Sequence, residues 1–166
     1  MNDLNKNSVS LAGEFAVLSQ LTLRGFDANM TLGHTKGVDI LVSDPNSEKM
    51  FKVEVKTSFA GKPSHSKLFG HTLSWIMGDK HEKIIDSNLF YCFVNIEKEA
   101  KSFRFFIVPS QLVAKHVRES HQHWLNQGMV KDTSIREFRI GIDEDGYSIN
   151  TPLAKDYENK WDFEIK

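Results

Sequence analysis

The stretch FKVEVKTS, Phe51 to Ser58, sets a glutamate and a lysine two residues apart, Glu54 and Lys56. Strand side chains alternate faces, so Phe51, Val53 and Val55 share one face while Lys52, Glu54, Lys56 and Ser58 share the other. An acid and a base on one face form either a solvated cross-strand pair or the working half of a metal site. A second acid bears on the choice. Asp39 interrupts the apolar run VDILV although aspartate is a poor strand former. The turn formers Asp44, Pro45, Asn46 and Ser47 predict a hairpin joining VDILVSD to MFKVEVKTSF. That pairing puts Asp39 opposite the segment from Phe51 to Glu54, which makes Asp39 and Glu54 neighbours. Two carboxylates held together repel unless a cation or proton intervenes. With Lys56 alongside, their oxygens suit a hard ion, Mg²⁺ or Mn²⁺, which polarises a phosphate and acidifies its bound water.

A third acid lies on the first element, a helix expected from about Ser8 to Leu23. Leu11, Phe15, Leu18 and Thr22 form its stripe, with Leu21 on the flank, and Glu14 falls between Leu21 and Leu18. A carboxylate on a core-facing stripe is costly without a partner. The plain alternatives are a stripe-edge position for Glu14 and a turn-capping or solvent-facing position for Asp39.

These residues must be held by the elements around them. The strand FDANMTL precedes the hairpin, with a turn-like loop from Gly33 to Gly37 between them. After the hairpin come a polar stretch, AGKPSHSKLFGH, and a helix expected from about Leu73 to Asp86. LFYCFVNI and SFRFFIVP read as strands buried on both faces. Ser110, with Pro109 just ahead of it, is expected to cap a helix running to about Leu125. IREFRIGI reads as a further strand, and Asp145-Gly146 suits a tight turn. This order predicts an α/β (α+β) domain spanning the 166 residues, with a central mixed sheet flanked by helices.

Glu14 on a first helix, then Gly37-Val38-Asp39, then Glu54-Val55-Lys56 resemble the core of the PD-(D/E)XK nuclease superfamily, over roughly residues 8 to 109. Val38 stands where the name-giving proline would be. The resemblance implies a restriction-endonuclease-like fold, with residues 110–166 as a helix-and-strand extension. It implies Asp39 and Glu54 as metal ligands, the Val55 carbonyl as a third, Lys56 as the group that orients or activates the attacking water, and Glu14 as an accessory ligand. The activity implied is Mg²⁺- or Mn²⁺-dependent hydrolysis of phosphodiester bonds in DNA, with RNA as the other nucleic acid. A homodimer would suit double-strand cleavage. The alternative is a noncatalytic nucleic-acid- or protein-binding module on the same fold, which would need none of these carboxylates.

The net charge of −1 lacks the basic excess of proteins that coat nucleic acid nonspecifically. The distribution is uneven, however. Lys49, Lys52, Lys56, Lys62, Lys67, His65 and His71 fall in a window whose single acid is Glu54. Lys62, His65 and Lys67 follow the Glu54 strand, where they would contact phosphates; a solvated loop is the bland reading. The single Cys92 sits in an apolar run and reads as a small buried hydrophobe; one cysteine forms no internal disulfide, which fits a cytoplasmic location. No apolar run is long enough to span a membrane and no N-terminal segment resembles a signal peptide. His116 and His123 stand seven residues apart, roughly 10 Å along a helix, too far to share a zinc ion. DEDGYSIN lacks acids where a calcium loop requires them.

Overall fold

The computed structural model describes residues 5–31, 37–59, 61–128 and 131–163. Helix α1 (Lys6–Leu23) starts where the Asn5 side chain accepts the Ser8 N–H at 2.8 Å, a cap for one of the unpaired amides of the first turn. Its buried stripe is Gly13, Val17 and Leu21. The stripe expected from the sequence is therefore turned: Leu11 and Phe15 are 45% and 54% exposed. The cause is Gly13, whose missing side chain lets the helix lie directly on Thr57. Glu14, less than a quarter turn from Leu21 around the helix, stays on the margin of the packed face.

Strands β1 (Asp27–Met30), β2 (Ile40–Ser43) and β3 (Met50–Ser58) form an antiparallel meander. Ile40 pairs with Val53 and Ser43 with Met50, the hairpin predicted from the Asp44–Ser47 turn. The loop expected over Gly33–Gly37 lies, apart from Gly37, outside the described residues. β6 (Leu89–Ile96) then pairs in parallel with β3, and β7 (Phe103–Pro109) returns antiparallel, giving a five-stranded mixed sheet in the order β1-β2-β3-β6-β7.

The helix expected from Leu73 to Asp86 is not formed. Gly70–Gly78 is strand β5, paired with β4 (Ser64–Ser66) on one side and β8 (Ile135–Gly141) on the other, and a 3₁₀ turn follows at Asp79–Glu82. The physical reason is period two: Leu73, Trp75 and Met77 are buried, while Ile76 between them is exposed. A parallel pair needs a long crossover, and the β4–β5 hairpin supplies it in place of a helix.

The eight residues of β6 are all buried, as expected of a strand covered on both faces. Phe90, Cys92 and Val94 join Val53, Val55, Val17 and Leu21 in a core beneath α1. Leu89, Tyr91 and Phe93 join Trp75, Phe138, Val113 and Val117 in a second core, beneath the β4-β5-β8 sheet and α2 (Ser110–Asn126). Phe93 stacks on Phe138 at 4.1 Å between centroids, and Trp75 Nε1 donates to the Val94 carbonyl at 2.9 Å. A short helix α3 (Ala154–Tyr157) precedes Trp161 and Phe163, which close the first core, and Arg104 on β7 grips Glu158 through a two-bond fork of 2.7 and 2.8 Å. Among the described residues no helix is long and apolar enough to cross a membrane.

Candidate functional site

Asp39 stands immediately before β2 and is tied to β3 twice. Its backbone N–H donates to the Val53 carbonyl at 2.9 Å, and its Oδ2 accepts the Val55 N–H at 2.7 Å. An aspartate at this place continues the ladder with its side chain, which accounts for a poor strand former at the head of an apolar run. Glu54 and Lys56 share the face of β3 opposite Val53 and Val55, because the strand keeps its alternation. Lys56 Nζ lies 2.6 Å from Glu54 Oε1.

Glu54 is only 3% exposed, an unusual place for a carboxylate. Its Oε1 has Lys56 as partner, but its Oε2 is buried with none. That oxygen points toward Gly37, where a Cβ would come within 3.4 Å of it. Gly37 has φ +75°, a left-handed conformation that glycine adopts freely, so the turn favours glycine there.

The acids feel one another. Burial raises the Asp39 carboxyl above its ordinary value, and the Glu54 charge adds to this; the Val55 N–H and Lys56 pull the other way. Glu14 is raised first by burial and then by Asp39, with Lys56 opposing. The fold thus gathers Glu14, Asp39, Glu54 and Lys56, from α1, the head of β2 and β3, into one electrostatic neighbourhood, with Val55 between Glu54 and Lys56. A cleft of about 670 Å³ lies beside it, lined by Lys6 and Ser10 of α1, Lys56 and Phe59, and Ser74 and Ile76 of β5.

Two groups absent from the sequence reading belong to this neighbourhood. Tyr91 is the register partner of Glu54 on the parallel strand β6. His81, buried in the 3₁₀ turn, has Nδ1 2.8 Å from the Tyr91 hydroxyl and Nε2 3.9 Å from Glu54 Oε1. Burial presses the His81 ring down to about 4, against the pull of Glu54, so it is neutral at pH 7. Burial, and then the Glu54 charge, push the Tyr91 hydroxyl well up.

Lys62, His65 and Lys67 are exposed and sit before, within and after β4, the edge strand of the second sheet. His116 Nδ1 lies 3.2 Å from the Asn150 carbonyl, and His121 pairs with Asp132, so the two histidines have separate partners. Among the described residues no three His, Cys, Asp or Glu side chains form a ready metal cage. Two carboxylates with a lysine beside them can still hold a hard cation that keeps waters or takes phosphate oxygens, which is the usual manner of Mg²⁺.

No family model and no curated protein sequence matches the chain. Among solved structures it is similar to a bacterial homing endonuclease, I-Ssp6803I, with a TM-score of 0.52 at 13% identity, over 95% of this chain and 89% of that one. At that identity the likeness is one of fold: the mixed five-stranded sheet flanked by helices is a nuclease-like architecture.

Proposed function

We propose that this protein is a nuclease of the PD-(D/E)XK type that hydrolyses phosphodiester bonds in DNA with Mg²⁺ or Mn²⁺. The observation that carries the reading is Glu54 Oε2, a buried carboxylate oxygen without a partner beside the raised carboxyl of Asp39. Leaving such an oxygen unpaired costs on the order of 1–3 kcal/mol, and a cation offsets both that cost and the repulsion between the acids. The fold shared with a homing endonuclease supports the same reading.

The residues present fit the ion. Asp39 and Glu54 would hold it through carboxylate oxygens, with the Val55 carbonyl as third ligand and Glu14 reaching it through water. When bound, the ion supplies Lewis acidity to the phosphate and lowers the pKa of water. Lys56, paired with Glu54 until substrate arrives, orients the attacking water and stabilises the charge that grows on the phosphate. Lys62, His65 and Lys67 contact phosphates farther along the strand.

The test is cleavage of single-stranded, duplex and branched DNA and of RNA, with Mg²⁺ or Mn²⁺ and with EDTA. Cutting should require the metal, and Lys56→Ala should lower its rate by at least about 100-fold at unchanged circular dichroism. Absence of metal-dependent cleavage on every substrate would refute the reading in favour of a binding module.

A further inference from the structure

Glu54 must be aimed if it is to hold an ion, and the fold places a buried pair behind it. Tyr91 lies beside Glu54 in the β3–β6 ladder, on the same face, and His81 is brought against both by the 3₁₀ turn after β5. The His81–Tyr91 hydrogen bond is 2.8 Å long, and His81 Nε2 is 3.9 Å from Glu54 Oε1.

Proton counting gives this pair a definite effect. A neutral imidazole carries one N–H and a phenol one O–H, so the pair has two protons and spends one on their shared hydrogen bond. If Tyr91 donates to Nδ1, the remaining proton is on Nε2, which faces Glu54 Oε1. If Nδ1–H donates to the Tyr91 oxygen, the hydroxyl proton is released to point at Glu54. In either tautomer one donor is left for the carboxylate. Lys56 holds Oε1 to one side at 2.6 Å, with His81 Nε2 3.9 Å from the same oxygen, and Oε2 is left turned toward Gly37.

We infer that His81 and Tyr91 are positioning residues that lock the Glu54 carboxylate with Oε2 presented to the cation, acting together through their shared hydrogen bond. This inference rests on the metal-site reading above. Groups that orient carboxylate ligands in this manner are worth about 10–100-fold in metal affinity.

The probe is Mn²⁺ alone, its binding followed by electron paramagnetic resonance, with no substrate present. Tyr91→Phe and His81→Leu should each weaken binding about 10–100-fold while circular dichroism stays that of the wild type. The double variant should bind no more weakly than the weaker single one, because the pair acts as a unit. If one variant fails to fold, the other carries the test. Wild-type affinity in a folded single variant, or additive losses in the double one, would overturn the inference while leaving the metal site standing. No Mn²⁺ binding by the wild type would sink the metal-site reading itself, and this inference with it.

Discussion

Gly13 is the point at which α1 touches β3, and its replacement by alanine has a calculable consequence. A Cβ there would fall 1.9 Å from Thr57 Oγ1 and 3.0 Å from both Thr57 Cβ and Cγ2. Rotating the threonine only exchanges its substituents and leaves its Cβ in place, so helix and strand must separate. Overpacking of this kind costs roughly 1–3 kcal/mol, against about 1 kcal/mol gained from alanine's higher helix propensity. Gly13→Ala alone should therefore lower stability by up to about 2 kcal/mol. In a Thr57→Ala background the 1.9 Å hydroxyl contact and the methyl are gone, and the remaining 3.0 Å Cβ contact needs a shift of only a few tenths of an ångström, so the same substitution should be neutral or stabilising by up to about 1 kcal/mol. Removing the hydroxyl strands nothing, since Thr57 Oγ1 is buried without a partner. The assay is urea denaturation of the four proteins, with an expected coupling of about 1–3 kcal/mol. Additive effects, within about 0.5 kcal/mol, would refute the claim that this contact sets the distance of α1, and with it Glu14, from the sheet.

Acidification should destabilise the metal-free protein through His81 and His116. Burial lowers both rings to about 4 from 6.5, so the unfolded chain takes up protons that the folded one refuses. Their contribution is complete above about pH 6.5 and is lost as pH falls toward 4, on the order of 1–3 kcal/mol each. Melting temperature against pH in EDTA measures it, and His116→Gln should flatten the fall; an unchanged slope would remove His116 from the account. Glu14 and Asp39 act with the opposite sign: their raised carboxyls favour the fold at low pH, and that contribution is lost as pH rises through their folded values. Replacing Lys62 and Lys67 together by alanine should weaken DNA binding and flatten its salt dependence, the slope of log K on log salt falling by about one for each phosphate left without its lysine. An unaltered slope would return β4 and its flanks to plain solvated surface.

The meander was legible because its signals are local. Asp44 to Ser47 announce the turn, and Phe51, Val53 and Val55 alternate with Lys52, Glu54 and Lys56. The apolar runs of β6 and β7 and the approximate start of α2 were equally direct, but not its cap: Pro109 holds the N-cap place, and the Ser110 hydroxyl bonds the Asp86 backbone instead. β5 was not legible, because LSWIM is too short and too apolar to separate period two from a buried helix turn. Its partner β8 lies far along the chain, and only their pairing makes Leu73, Trp75 and Met77 one face. The same non-locality hid His81 and Tyr91. Their place behind Glu54 depends on the parallel β3–β6 register and on where the 3₁₀ turn ends, and neither leaves a mark in the sequence. On α1, the stripe was misplaced because Leu11 and Phe15 outweigh Gly13 in any hydrophobic pattern, whereas the packing is decided by the residue with no side chain.

Asp39 and Glu54 are proposed as a cation site and not as one half of a structural ion-pair network with Lys56. The measurement that separates these is a set of melting curves for wild type and Asp39→Asn, each with EDTA and with Mg²⁺. Asparagine keeps an oxygen for the Val55 N–H, so the tie to β3 survives. If the acids repel in the metal-free fold, Asp39→Asn leaves stability without metal unchanged or raises it. Mg²⁺ should then stabilise only the wild type, by about 2.7 kcal/mol when free metal is a hundredfold above its dissociation constant. A structural network has the opposite sign, because removing one charge leaves its partner buried, at a cost of about 3–5 kcal/mol. A marked loss in the mutant without metal, together with no magnesium shift in the wild type, would rule out the cation site.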